Sequence, residues 1–246
     1  MRTKVLLSVC FLLFAQEIVL GQSSDETLAI EYYEKAQGGI TNGYLQKAAD
    51  LGYAPAQYDL AIYYSNGFGN QRSDYGTAVK WLKKAANQGY IKAQRKLANY
   101  YHNGYGVKQS DKEAVKWFRK AAEQGDAEAQ NDLAYCYDCG LGVPRNLESA
   151  LYWYQKSAEQ GYAMAQYNLG LQYYEGEGVL LDEVKAVKWF IKAADQGYAD
   201  AQHALGVSYL KGYGVKENKE KAEVWLEKAA AQGHKKAQSV LEEYFY

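Results

Sequence analysis

A chain of 246 residues would ordinarily make one or two globular domains. Its 28 basic and 29 acidic side chains leave a formal charge of −1, so no net charge draws it to nucleic acid or to an anionic membrane surface. Beyond the N-terminal segment no apolar run approaches bilayer length, which excludes membrane insertion of the mature chain.

Arg2 and Lys4 precede an apolar run from Val5 to Ala15, with a short polar stretch behind it: the layout of a secretory signal peptide. The small or modest side chains of Val19-Leu20-Gly21 place cleavage before Gln22, with Ala15 as the second choice. An N-terminal anchor is the competing reading. A lipid-attachment reading of Cys10 is weaker, because Val9 stands where a small residue is required. Removal of residues 1–21 takes away Arg2, Lys4 and Glu17 and moves the charge from −1 to −2. The product is expected to be periplasmic, secreted or in a secretory lumen.

After a polar leader, Gln22 to Glu26, a first helix starts near Leu28. From there the sequence repeats. The 5 tryptophans, Trp81, Trp117, Trp153, Trp189 and Trp225, stand 36 residues apart at every step. Leu60, Leu97, Leu133, Leu169, Leu205 and Leu241 keep step at intervals of 37, 36, 36, 36 and 36. A period of this size signals a solenoid, in which each repeat buries its apolar face on its neighbours. Units fall at about 27–52, 53–89, 90–125, 126–161, 162–197 and 198–233, with a cap at 234–246.

Each unit holds two helices. Helix A carries Ala-Gln, then the leucine, then a small residue (Ala61, Ala98, Ala134, Gly170, Gly206) that admits a partner helix, then a tyrosine one turn on (Tyr64 to Tyr209). It ends at Gly67-Phe68-Gly69, Gly104-Tyr105-Gly106, Gly140-Leu141-Gly142, Gly176-Glu177-Gly178 or Gly212-Tyr213-Gly214. Asp74, Ser110, Asn146, Asp182 and Asn218 then cap helix B, Ser110 with Glu113 as a capping box. Helix B places an alanine three before its tryptophan and stops at Gly89, Gly125, Gly161, Gly197 or Gly233. Tyr44 takes the tryptophan's place in the shortened first unit, and Glu242 replaces the small residue in the last helix, as suits a cap. The shared helical stripe makes the tryptophans core rather than stacking platforms for a ligand.

Ala-Gln with Leu-small, Gly-x-Gly-Val, the N-cap and Lys-Ala-x-x-Trp-x-x-Lys-Ala-Ala-x-x-Gly together resemble the Sel-one-like repeat, a relative of the tetratricopeptide repeat, over about residues 27–245. The resemblance implies an all-α fold: a right-handed α/α superhelical solenoid, here of six helix pairs plus a C-terminal capping helix, with A helices on the concave side. It implies scaffold or adaptor roles in exported, signalling or quality-control settings. Cysteine-rich relatives are credited with binding or hydrolysing penicillin. Ser208 and Lys211 form a Ser-x-x-Lys match, yet the companion Ser-Asp-Asn and Lys-Thr-Gly elements are missing.

Cys136 and Cys139 leave two readings open, a local disulfide or unpaired thiols; a redox site lacks its strand-helix context. His102, His203 and His234 show no metal spacing, and no cofactor motif occurs. A binding surface is expected on the arc of helix A that packing leaves free, at two before, one before and two after the leucine. Those positions hold Tyr58, Arg95, Asn131, Tyr167 and His203; Asp59, Lys96, Asp132, Asn168 and Ala204; and Ile62, Asn99, Tyr135, Leu171 and Val207. They vary from unit to unit, and aromatics and arginine beside amides and carboxylates suit a protein or peptide partner. With neighbouring helices about 10 Å apart, the groove would run on the order of 60 Å.

Overall fold

The computed structural model describes residues 24–37, 42–67 and 72–246. The expected signal peptide and cleavage site and the Phe68-Gly69-Asn70 part of the first turn lie outside the described residues. Among those described, every element is a helix and none is a strand. The helices are α1 (24–37), α2 (Asn42–Asp50), α3 (Ala54–Asn66), α4 (Tyr75–Asn87), α5 (Ile91–Asn103), α6 (Asp111–Glu123), α7 (Ala127–Cys139), α8 (Leu147–Glu159), α9 (Ala163–Glu175), α10 (Glu183–Asp195), α11 (Ala199–Lys211), α12 (Lys219–Ala231) and α13 (Lys235–Tyr244). Ser24 to Glu26, expected in the leader, form the first turn of α1. The chain forms two compact units, one ending at Ser110 and the other spanning Asp111–Tyr246. Within each, successive helices pack in order, α2 on α3 through α4 on α5, and α6 on α7 through α12 on α13. This is an all-α solenoid of helix pairs.

The turns follow from glycine. At the end of α4 the Gly89 N–H bonds the Ala86 carbonyl and the Tyr90 N–H bonds the Ala85 carbonyl, both at 3.1 Å, with Gly89 at φ 89°. That double bond is a Schellman motif, and it needs a left-handed residue at its bend. Tyr90 then serves as N-cap of α5 without using its side chain, so three residues suffice to reverse the chain. At the other end of each pair, Asp74, Asn146, Asp182 and Asn218 cap their B helices as expected, accepting from Thr77, Ser149, Lys185 and Lys221 at 2.8–2.9 Å.

The second glycine of the described Gly-x-Gly turns has a different role. A Cβ on Gly106 would lie 2.3 Å from the Tyr75 carbonyl oxygen, and one on Gly142 would lie 2.4 Å from that of Asp111. The turn rests directly on the first residues of the preceding B helix. This inter-repeat contact is backbone on backbone, and only glycine permits it.

The core holds Leu60 and Leu97 in the first unit and Leu133, Leu169 and Leu205 in the second, each 0–2 % exposed, with the small residues beside them. Gly170 and Gly206 admit Phe190 and Leu226, whose atoms would stand 2.5 and 2.7 Å from an added Cβ. The tryptophans depart from expectation. Trp117 is buried, but Trp81, Trp153, Trp189 and Trp225 are half-buried. The next residue in the chain, Leu82, Phe118, Tyr154, Phe190 or Leu226, is the one that fills the core, at 0–3 % exposed. The Trp81, Trp189 and Trp225 indoles pack on clusters that reach into the previous repeat, as Trp81 does on Ala48 and Ala49 together with Ala56 and Leu60 of its own. Three of these rings lie under a lysine one turn on: Lys84, Lys192 and Lys228 sit 3.8–4.0 Å from the Trp81, Trp189 and Trp225 ring centres. A tryptophan one position off the centre of the buried stripe keeps one face wet, and the ammonium uses that face.

Candidate partner-binding face

The A helices are held laterally by glutamines. Gln57, Gln94, Gln130, Gln166 and Gln202, all 3–5 % exposed, donate to the last-turn carbonyls of Ala49, Ala86, Ala122, Ala158 and Ala194 at 3.0–3.2 Å. Their side-chain oxygens accept from the glutamine that ends the following B helix: Gln88 to Gln57, Gln160 to Gln130, Gln196 to Gln166 and Gln232 to Gln202, at 2.7–2.8 Å. A glutamine stands directly before each of those helix-ending glycines. The recurrence was visible, but its pairing with the Ala-Gln position 30 residues earlier was not.

The arc expected to be free is half-buried instead. In three repeats the side chain two before the leucine leans on the residue that caps the next A helix. Tyr58 meets Tyr90 with ring centres 5.6 Å apart, Tyr167 meets Tyr198 at 5.4 Å, and His203 stacks on His234 at 4.6 Å. Asn131, fully buried, accepts from Asn168 Nδ2 at 3.0 Å and has its own Nδ2 3.6 Å from the Met164 sulfur. Asp59 accepts from the Tyr33 hydroxyl at 2.6 Å and from Gln37 at 3.2 Å, which with burial holds the Tyr33 phenol far above its ordinary range. Lys96 sits 5.6 Å from the Tyr100 ring centre, and the Asn99 carbonyl accepts from Asn103. Arg95, Asp132, Ile62 and Leu171 are half-buried along the same line. Tyr135 is the exception, at 49 % exposed. The structure thus brings Tyr58, Asp59, Asn131, Tyr167, Asn168 and His203 into repeat-to-repeat contacts, because a 100° helical wheel describes one helix and omits its neighbours.

Burial raises the Tyr167 phenol, and burial with Asp200 takes that of Tyr198 to about 12. Burial, then His234, lowers the His203 imidazole to about 4. The ring is therefore neutral at pH 7. His234 Nδ1 accepts from the Ala237 N–H at 3.1 Å, so its Nε2 carries the proton and faces Asp200 at 3.1 Å.

Cys136 and Cys139 are both free thiols. They lie three apart on α7, Cys136 in the core and Cys139 at the surface; burial pushes the Cys136 thiol up to about 12. Ser208 is buried, with its hydroxyl donating to the Ala204 carbonyl at 2.8 Å, while Lys211 reaches the Tyr244 hydroxyl at 2.8 Å. Serine and lysine are each engaged elsewhere, so the Ser-x-x-Lys spacing does not assemble a nucleophile with its base. Among the described residues no helix is long and apolar enough to cross a membrane.

Stacked helix pairs, glycine-locked turns and a variable A-helix face define an α-solenoid of the kind that typically serves as a protein-interaction scaffold. The chain belongs to the Sel1 repeat family, whose model matches residues 16–36, 43–53, 54–90, 91–126, 127–162, 163–198 and 199–234. Among solved structures it is similar to a protective antigen of uropathogenic Escherichia coli with an SLR fold, at 37 % identity and TM-score 0.78, over 91 % of this chain and 49 % of that one. It is also similar to a Sel1 repeat protein from Oxalobacter formigenes, at 40 % identity and TM-score 0.73, over 81 % of this chain and 58 % of the other. A putative Sel1 repeat protein from Klebsiella pneumoniae aligns at 27 % identity and TM-score 0.52, over 82 % and 97 %. The chain spans about half the length of the first two relatives. No relative among curated proteins matches it.

Proposed function

We propose that the protein is an exported scaffold that binds a peptide or protein segment along the concave A-helix face. The observation that carries this reading is the column of side chains two before each leucine. They differ from repeat to repeat, yet three of them are propped by the next repeat's capping residue, Tyr58 by Tyr90, Tyr167 by Tyr198 and His203 by His234. Half-exposed aromatic groups already held in place lose little rotamer freedom on binding, and tyrosines are among the groups that dominate interface energetics. Family membership supports a protein partner over a small substrate. Export rests on Arg2 and Lys4 ahead of Val5 to Ala15, and sequencing the N-terminus of secreted material tests it: Gln22 is expected, and an intact Met1 would overturn it.

The binding reading is tested by affinity capture with the mature chain, beside a variant carrying Tyr58→Ala, Arg95→Ala, Tyr135→Ala and Tyr167→Ala that circular dichroism shows to be folded. A partner captured by the native chain and lost by the variant is the expected result. Equal capture by both would move the site to another surface.

A further inference from the structure

Three carboxylates gather where two A helices end. Asp138 is the penultimate residue of α7, Glu175 is the last residue of α9, and Glu177 follows in the turn. Neither helix has a basic residue in its last turn. The C-terminal end of a helix already carries partial negative charge, so these positions favour cations and disfavour acids. Arg145 answers part of the charge, with one guanidinium nitrogen 3.0 Å from Glu177 and 4.0 Å from Asp138. What remains is net negative. The Asp138 and Glu175 carboxyls are both raised above the ordinary range, by burial first and by Glu177 next.

Gln172 supplies an independent sign of a missing partner. It is 3 % exposed, and its Nε2 donates to Asp138 Oδ2 at 3.2 Å. Turning the amide round would set its oxygen against the carboxylate, so the orientation is fixed. Its Oε1, buried in the same place, has no hydrogen-bond partner in the chain. Buried acceptors of this kind are rare, and here the orphan belongs to the amide that donates to Asp138. Asp138 also accepts from the Tyr154 hydroxyl, so the acceptors left without a donor are the Glu175 carboxylate and Gln172 Oε1. The notch lies beside Tyr135, whose hydroxyl interacts with Cys139 and feels Asp138.

We propose that the notch formed by Asp138, Gln172 and Glu175 receives a single cationic side chain, an arginine or lysine of the bound polypeptide. This rests on the scaffold reading above and names the chemistry of its partner. Arginine fits better than lysine, since its planar fork can meet a carboxylate and the amide oxygen with separate N–H groups. The turn that carries Glu177 continues to Leu180 and Leu181, 88 % and 61 % exposed, which offers apolar contact to the residues flanking that cation.

The test is a titration of the 15N-labelled full chain with N-acetyl-arginine amide, with N-acetyl-citrulline amide as the uncharged isostere. Saturable shifts are expected at the Gln172 side-chain amide and at residues 138–139 and 175–177, with a dissociation constant on the order of 1 mM for so small a probe. Glu175→Gln, at an exposed site, should weaken binding roughly two- to fivefold without touching the core, and adding Asp138→Asn should weaken it further. Absent or unsaturable shifts, or equal shifts with the citrulline amide, overturn the proposal. So would calcium ions saturating the same resonances at lower concentration than the arginine amide, since that would make this a metal site. Partner capture is read separately, so a failure here leaves the scaffold reading standing, and a failure of capture leaves this site standing.

Discussion

Gln160 Nε2 lies 2.7 Å from Gln130 Oε1, and Gln130 Nε2 donates in turn to the Ala122 carbonyl at 3.0 Å. The end of one B helix is thus tied through a buried amide to the end of the previous one. Replacing Gln130 by leucine, similar in size but apolar, leaves the Ala122 carbonyl with the Gly125 N–H alone and removes the buried acceptor of Gln160. A loss of about 1–3 kcal/mol is expected in urea unfolding followed by circular dichroism. Gln160→Ala, which leaves the inner bond intact, should cost about 1 kcal/mol. Equal losses in the two variants would refute the relay.

Phe190 and Trp189 are neighbours in sequence with unequal roles. Phe190 is 2 % exposed, and truncation to alanine should cost about 3–5 kcal/mol. Trp189 is half-buried and should cost roughly half as much, with Lys192→Ala below about 1 kcal/mol for loss of the contact over the indole. Denaturant midpoints of the three variants, at unchanged slope, decide the order.

Two left-handed glycines separate strain from collision. Gly161, at φ 91°, has nothing within 4 Å of an added Cβ, so Gly161→Ala should lose only the conformational term of about 1–2 kcal/mol. Gly142, at φ 69°, would drive its Cβ to 2.4 Å from the Asp111 carbonyl oxygen, and Gly142→Ala should lose about 1–3 kcal/mol more. Thermal melts of the pair should show the larger drop at Gly142.

The His203 imidazole is lowered from 6.5 to about 4, by burial first, then by His234 and Lys236, against Asp200. A base lowered on folding binds fewer protons in the folded state than in the unfolded one. Its contribution is therefore complete above pH 6.5 and falls as the pH drops from there toward 4, at no more than about 1.4 kcal/mol per unit. Unfolding free energies measured from pH 7 to 4 should show this slope in the native chain and a shallower one in His203→Gln.

Much of the architecture was legible in the sequence, because a fixed period repeats every local signal. Five tryptophans 36 residues apart, leucines in step with them, capping residues and terminal glycines determine helix count, order and ends through backbone chemistry that acts within one or two turns. What needed the tertiary structure was every relationship between repeats. A helical wheel centred on Leu169 places Tyr167 on an open arc, but Tyr198, 31 residues on, closes that arc. The regular tryptophans read as core, yet the next residue in the chain is the one aimed there, because a rotation of 100° decides which ring is dry. The acidic notch joins Asp138 to Gln172 across 34 residues, and no local pattern announces it. Hydrogen bonding within a turn is written in adjacent residues, whereas burial and charge depend on which distant residues the stack brings within a few ångströms.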